Sequence, residues 1–306
     1  MTRGVAISRT FWMWTRLLGG AAILVALVWR QGTGPFLDGL RLTTPAALLA
    51  ALVVTAATTL CCAWRWSLIA GRLDVGVPVR TAFAAYYRSQ LLNATLPAGV
   101  LGDVHRGVRH GRETGALGRG LRSVVWDRAA GQAVQAVLAL GAVAFLAPAL
   151  RTPVVLVAVV GLVVLVVAWV VLPRRPRLVL ADDVRRLAPL WPRLVLGSAV
   201  AAAGHAVVFV VAARTAGVTV PLSQVAPLAL VVLLVSAVPV SIAGWGMREG
   251  AAAWVFGAVG LGAAQGVTVS VVYGVMALVA TLPGAVLPVP RGDGAPAPRL
   301  EDAAHG

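Results

Sequence analysis

Long apolar segments recur along the whole of this 306-residue chain, and they restrict what it can fold into more than any other feature. Of its residues, 59% are hydrophobic and only 12% are charged, a balance that a water-soluble domain of this size does not show. A helix of about 20 apolar residues crosses the hydrocarbon core of a bilayer. The sequence therefore predicts an all-α polytopic membrane protein.

The positive charge of the chain predicts its orientation in the membrane. The net charge is +15, and because lysine is absent all of it comes from arginine. Most arginines lie in short segments between apolar runs, and only Arg30, Arg41, Arg151 and Arg214 fall in segments assigned to the outer side. The positive-inside rule then places both termini in the cytoplasm. It also explains the basic residues without nucleic-acid binding, which we do not expect. Arginine without lysine, with abundant Ala, Val and Gly, is typical of a GC-rich bacterial genome, so the expected location is the bacterial cytoplasmic (inner) membrane.

About six apolar segments are predicted to span the membrane: 17–29, 46–64, 124–150, 154–172, 194–213 and 267–287. Residues 30–44 and 173–193 are predicted to be loops, and Arg151 and Pro153 to form a tight turn. Trp64, Arg65 and Trp66 are expected at the inner surface. The tail at 291–306 is predicted to be disordered and cytoplasmic.

Two further apolar segments, 81–96 and 251–260, are too short to span and are interrupted or flanked by polar residues. Both are predicted to be re-entrant, because non-helical backbone at membrane depth must be buried in protein or line a wet cavity. Each half of the chain, about 11–150 and 151–290, then contains two helices, a re-entrant segment and a third helix. The halves start on opposite sides, so they form an inverted repeat, a plan of secondary transporters. We expect one integral membrane domain over residues 1–290.

The candidate binding residues lie where Pro and Gly interrupt this apolar pattern. The interruptions read N-A-T-L-P-A-G-V-L-G-D-V-H-R at 93–106 and P-V-S-I-A-G-W-G-M-R-E at 239–249. Proline ends a helix, glycine permits positive φ and close backbone approach, and exposed amides with arginines bind anions. Charges within membrane segments indicate function by default. The candidates are Arg88, Asn93, Pro97, Gly99, Gly102, Asp103, Arg106, Asp127, Arg128, Pro239, Gly244, Gly246, Arg248 and Glu249, with Tyr86 and Tyr87 as aromatic walls.

The two interruptions bring four charged side chains into the membrane, those of Asp103, Arg106, Arg248 and Glu249. Their burial there would be costly unless they were paired. We therefore expect Asp103 to pair with Arg248 when the site is empty. The alternative for the glycines is that they only permit helices to pack closely. His205 is interpreted either as a hydrogen-bonding partner of a neighbouring helix or as a proton relay, and His105 and His110 as solvated. The sequence shows no catalytic motif, nucleotide-binding loop or metal cluster, so no catalytic residue, metal or cofactor is predicted.

Three motifs in this order resemble those of the lysylphosphatidylglycerol synthase transmembrane, or flippase-like, family. They are N-x-x-L-P-x-G-x-x-G-D-x-x-R at 93–106, V-V-W-D-R-x-x-G at 124–131 and P-x-S-x-x-G-x-G-x-R-E at 239–249. The chain departs from the family at Ala98 and Leu101, where Gly is more common, and at Trp245, where Leu is more common. The resemblance implies a membrane domain that moves aminoacylated phosphatidylglycerol across the bilayer. In the two-part members of the family, a separate cytosolic domain synthesises this lipid. Too few residues follow 287 to form that domain.

The expected function is therefore that of a lipid translocase acting on an anionic phospholipid or a polyprenyl-phosphate-linked intermediate. The second substrate is included because the resemblance extends to relatives associated with such carriers. One alternative is a membrane-embedded enzyme or partner subunit in lipid-linked sugar or aminoacyl-lipid metabolism, and another is a small-solute transporter. Candidate protein partners are a second copy of the chain and a separate synthase or glycosyltransferase.

Overall fold

The computed structural model describes residues 25–96, 99–146, 148–171, 173–236 and 245–288, which are almost entirely helical and contain no β-strand. The predicted all-α class is confirmed for these ranges. Residues 25–31 are helical, and two short 3-10 helices lie at Ala142–Phe145 and Ala188–Leu190. The α-helices are α1 Gly34–Leu42, α2 Pro45–Arg72, α3 Val79–Thr95, α4 Leu101–Glu113, α5 Leu117–Gly141, α6 Pro148–Val171, α7 Arg174–Leu187, α8 Trp191–Thr215, α9 Leu222–Ser236, α10 Met247–Ala258, α11 Ala263–Thr281 and α12 Pro283–Val286.

Three helical stretches in the described ranges are long and apolar enough to cross a membrane: Pro45–Arg72, Arg174–Thr215 and Ala263–Val286. Within the most apolar 18 residues of each stretch, only 39%, 33% and 56%, respectively, are buried inside the protein. The remaining apolar surface faces outward, which a water-soluble protein avoids and a lipid environment accommodates. The predicted total of six spans and the inverted repeat stay predictions.

Three segments predicted as loops or turns are wholly or largely helical instead. Residues 30–44 contain α1, because Pro35 occupies the first turn, where its missing N–H is not needed. Residues 173–193 contain the amphipathic α7, which begins directly after Pro173. The expected turn at Arg151 and Pro153 lies inside α6.

Several predicted boundaries also move. Helix α2 continues to Arg72, eight residues beyond the predicted end at 64, so that Arg65 and Trp66 are buried rather than at the surface. The predicted span 124–150 begins earlier and ends earlier, as α5. The short segments 81–96 and 251–260 correspond to α3 and α10. Most of the predicted span 17–29, and the tail 291–306, lie outside the described residues.

Close backbone approach holds the helices around the site together. A Cβ on Gly120 of α5 would overlap Gly111 of α4, and one on Gly266 of α11 would overlap the Ala252 carbonyl of α10. Similarly, Gly284 of α12 lies against the backbone of Tyr87 on α3. These small residues allow helices to pack within van der Waals contact in a membrane, where packing is the main attraction between helices.

Candidate functional site

Asp127 is the centre of a buried polar network between α2, α3, α4 and α5. Its side chain is fully buried and accepts three hydrogen bonds. One oxygen accepts from Arg65 Nε at 2.8 Å, and the other from the Tyr86 hydroxyl at 2.7 Å and from Arg106 Nη2 at 3.2 Å. Arg65 also donates from Nη1 to the Ser198 hydroxyl of α8 at 2.8 Å. A carboxylate buried this deeply is stable only when paired and hydrogen-bonded, and both conditions are met.

Asp103 is the second carboxylate of the same network. It lies in the first turn of α4, where the helix dipole favours negative charge. Its oxygens accept from the Ser89 hydroxyl at 3.0 Å, from Asn93 Nδ2 at 2.8 Å and from Arg106 Nη2 at 3.0 Å. Arg128 Nη2 forms a further ion pair with it. Arg106 therefore bridges the two carboxylates of the network.

Arg106 lies between two aromatic rings. Its guanidinium carbon is 4.4 Å from the centre of the Trp66 ring and 3.9 Å from that of Tyr86. Its Nε and Nη1 are buried and have no hydrogen-bond partner among the described residues. The two cation–π contacts offset part of that loss.

A second cluster is formed by the ion pair of Arg248 with Glu249, both on α10, and it reaches α11 through the Ser270 hydroxyl. Glu249 is fully buried, and one of its oxygens accepts from Arg248 Nη2 at 2.6 Å and from the Ser270 hydroxyl at 3.0 Å. The other accepts from the Gly246 N–H at 2.6 Å and thereby closes the start of α10. The Arg248 guanidinium lies 5.0 Å from the Trp245 ring and 5.4 Å from the Tyr273 ring.

Glycine has two different roles at these positions. Gly99 and Gly246 have positive φ, at 61° and 106°, which L side chains rarely adopt. Gly102 was expected to share this property, but it serves close approach alone, because a Cβ there would overlap the Ser89 carbonyl oxygen. Gly274 leaves room for the Arg248 guanidinium in the same way.

A partly open cavity of about 380 Å³ lies between the two clusters. Arg65 and Arg128 of the first cluster and Arg248 of the second all line it, whereas no carboxylate among the described residues does. Other polar side chains also line it, among them Gln90, Asn93, Gln132, Gln135, Ser198, His205 and Ser236, beside apolar residues such as Val100 and Leu233. The cavity therefore presents guanidinium groups, while the carboxylates that fix them lie behind.

The structure brings together most of the predicted site residues but not in the predicted pairing. Asp103 pairs with Arg106 and Arg128, and Arg248 pairs with Glu249, so the expected ion pair between Asp103 and Arg248 is not formed. Each charge has a partner close in sequence or on an adjacent helix, which makes a link between the two clusters unnecessary.

Other predicted residues lie elsewhere. Arg88 lines a separate small cavity with His105 and His110. His110 is not solvated as expected: its Nε2 lies 2.5 Å from the Val75 carbonyl oxygen, and its ring packs edge-on against Trp66. Burial lowers the pKa of His110. The predicted site residues Pro97, Pro239 and Gly244 lie outside the described residues.

Three cavity residues were not among the predicted site residues: Arg65, Gln132 and Ser198. Arg65 was interpreted as a marker of the inner surface because it follows an apolar run of ordinary length. The signal that could have found it is the apolar pattern that continues beyond it to Arg72, which places a charge inside a helix. Polar side chains such as Gln132 carry no such signal in one sequence.

An all-helical chain with apolar spanning helices, enclosing a polar cavity fixed by buried ion pairs, is an integral membrane protein with an internal polar site. The family model of the lysylphosphatidylglycerol synthase TM region matches residues 12–284, and the chain belongs to this family. This membership confirms the resemblance of the three motifs and links the protein to lipid metabolism in the membrane. No curated protein and no solved structure matches the chain.

Proposed function

We propose that the protein is a lipid translocase that moves an anionic phospholipid or a lipid-linked intermediate across the bacterial cytoplasmic membrane. The observation that carries this proposal is the cavity lined by Arg65, Arg128 and Arg248 with no carboxylate among its described lining residues. Guanidinium groups bind phosphate through two parallel hydrogen bonds, and in a cavity bounded by apolar helices they attract it strongly. The acyl or isoprenoid chains would remain in the bilayer.

The distribution of the arginines along the chain supports transport. Arg65 and Arg128 belong to the first half of the proposed inverted repeat and Arg248 to the second. In transporters built from inverted repeats, the substrate lies at the interface between the repeats. The proposal therefore includes one membrane domain over residues 1–290 with six spans, two re-entrant segments and cytoplasmic termini.

Each cavity arginine is already oriented by a carboxylate. Asp127 fixes Arg65, Asp103 fixes Arg128 and Glu249 fixes Arg248. Side chains that are ordered before binding lose less conformational entropy when the ligand arrives. Of the predicted site residues, Arg128 and Arg248 are thus proposed to contact the phosphate, together with Arg65, and the carboxylates to position them.

The test is transbilayer movement in proteoliposomes. The purified chain is reconstituted with phosphatidylglycerol that carries a fluorescent acyl chain, and an impermeant quencher reports how much label reaches the other leaflet. We expect movement above that of protein-free vesicles, reduced at least about tenfold by Arg128→Gln or Arg248→Gln. Arg41→Gln, at an exposed arginine of α1 outside the cavity, is the matched control and should retain the wild-type rate.

Two results would contradict the proposal. One is movement no faster than in protein-free vesicles for phosphatidylglycerol and for polyprenyl-phosphate-linked lipids. The other is a new lipid product, detected by mass spectrometry, that forms without movement, because it would support the alternative of a membrane-embedded enzyme.

A further inference from the structure

Helix α7 carries a basic face that lies outside the cavity between the two clusters. We propose that this face is a docking surface for the anionic phospholipids of the inner leaflet, and that α7 lies along the membrane surface with its arginines among the lipid phosphates. The inference uses the proposed orientation of the chain and goes beyond the translocase function, because no residue of the cavity takes part in it.

The acidic residues of α7 face the rest of the protein and are already paired. Asp183 is buried and accepts from Arg122 Nε of α5 at 2.8 Å. Arg186 pairs with Asp182 at 2.8 Å and with Asp74, which follows α2, at 3.0 Å. All five side chains line one cavity between α7 and the ends of α2 and α5. This side of the helix therefore has no charge left for a partner.

The opposite side of α7 is basic. Arg174, Arg177, Ala181, Val184 and Arg185 lie three, four, three and one positions apart, a spacing that places them on one side of a helix, and none of them lines the cavity beneath it. Arg174 and Arg185 are exposed and form no ion pair with any residue that the structure describes. The Nε of Arg177 is buried and has no hydrogen-bond partner in the described ranges. The acidic and the unpaired basic residues of α7 are thus on different sides.

Exposed apolar residues next to both ends of α7 indicate where it lies. Val170 and Val171, at the end of α6, are 62% and 74% exposed, and Trp191, the first residue of α8, is 65% exposed. Only residues 172–173 separate α6 from α7, and only a three-residue 3-10 helix separates α7 from α8. Exposed apolar side chains favour lipid, and a tryptophan at the end of a spanning helix is typical of the membrane interface. Since both ends of α7 adjoin such residues, the helix runs along the interface.

An anionic lipid surface fits this face better than an acidic protein. Arginines at an interface extend their charged ends to the phosphates while their methylene stems cover apolar surface, which Val184, 49% exposed, provides here. The cytoplasmic leaflet carries the anionic headgroups, and each arginine close to it strengthens binding by about fivefold. A cytosolic protein would not reach the apolar side chains at the two ends of the helix.

The test measures lipid preference at α7 itself. With Cys61 and Cys62 replaced by alanine, a Val184→Cys chain carries a fluorophore and is reconstituted in phosphatidylcholine. Phosphatidylglycerol or phosphatidylcholine with bromine on the upper part of one acyl chain is then added in increasing fractions, and quenching gives their relative binding constant. We expect phosphatidylglycerol to be preferred at least about fivefold, and this preference to weaken in high salt, which screens surface charge.

Two pairs of substitutions separate the basic face from general charge. Arg174→Gln with Arg185→Gln should lower the preference for phosphatidylglycerol at least about threefold, because it removes both exposed arginines of the face. Arg80→Gln with Arg112→Gln is the matched control: it removes the same charge from exposed positions of α3 and α4 and should leave the preference unchanged.

Two results would overturn the proposal. Equal quenching by both lipids would mean that α7 lies in the interface without selecting charge. No quenching by either lipid would mean that the face lies in water or against another protein. If the variant without Arg174 and Arg185 does not fold, the preference of the labelled parent chain and its salt dependence decide the matter. The assay detects no transport, so a failure of transbilayer movement would refute the translocase function and leave this lipid preference standing.

Discussion

Asp127→Asn is the substitution that tests the buried network most directly. The carboxylate accepts from Arg65 on one oxygen and from Tyr86 and Arg106 on the other. An amide keeps only one acceptor oxygen, and in either orientation its NH₂ faces an arginine donor. The change also leaves three guanidiniums opposite Asp103 alone. Removing one partner of a buried ion pair costs about 3–5 kcal/mol, and we expect the free energy of unfolding to fall by that amount.

The assay is equilibrium unfolding of the purified protein in mixed micelles, followed by circular dichroism as the fraction of denaturing detergent rises. Asp182→Asn is the matched control, because its carboxylate is exposed and pairs with Arg186 at the surface of α7. Surface ion pairs contribute little to stability, so this variant should have the same unfolding midpoint as the wild-type protein. Unfolding of Asp127→Asn at the wild-type midpoint would refute the buried network.

The double variant Arg65→Gln with Asp127→Asn separates lost pairing from general disruption. It removes one charge of each sign and restores the original net charge. Groups in direct contact have a coupling free energy of about 0.5–3 kcal/mol, so the double variant should lose less stability than the sum of the two single variants. Strict additivity would mean that the 2.8 Å contact between Arg65 Nε and Asp127 is not formed.

Two further predictions concern packing and orientation. Gly102→Ala should lower the unfolding midpoint and slow transport, because its Cβ would overlap the Ser89 carbonyl. Gly118→Ala is the control and should be tolerated, because no atom lies closer than 3.8 Å to the added Cβ. Equal stability of the two variants would contradict the close packing of α3 and α4. In a cysteine-free background, a cysteine at the exposed Arg112 should be protected from an impermeant reagent added outside, and one at the exposed Thr219 should be labelled; labelling at Arg112 would overturn the proposed orientation.

Half of the site could be predicted from residues that lie close together in the sequence. Asn93, Asp103 and Arg106 lie within one motif, and α3 and α4 bring them together because Gly102 permits close contact. The pairing of Asp103 with Arg106 follows from helical spacing, since residues three apart share a face. The expected pairing with Arg248 overlooked this nearer partner, and overlooked that Glu249 adjoins Arg248.

The other half of the site depends on which helices pack together. Arg65 reaches Asp127 across 62 positions, and Ser198 across 133, through the packing of α2 with α5 and α8. Hydrophobic periodicity identifies helices but not their neighbours. The loops predicted at 30–44 and 173–193 were wrong for a related reason, because polar residues and prolines near a helix start were taken as breaks.

Opposite charges have separate roles in this membrane protein. Burying a carboxylate costs several kcal/mol even after relaxation, and a chain that needed only tight packing would bury apolar side chains instead. Asp103, Asp127 and Glu249 are each buried against an arginine that reaches the cavity wall. A guanidinium without its carboxylate would turn toward water at the membrane surface, as long arginine side chains do. The carboxylates therefore hold the arginines at the cavity wall, where the proposed function requires them to meet a phosphate.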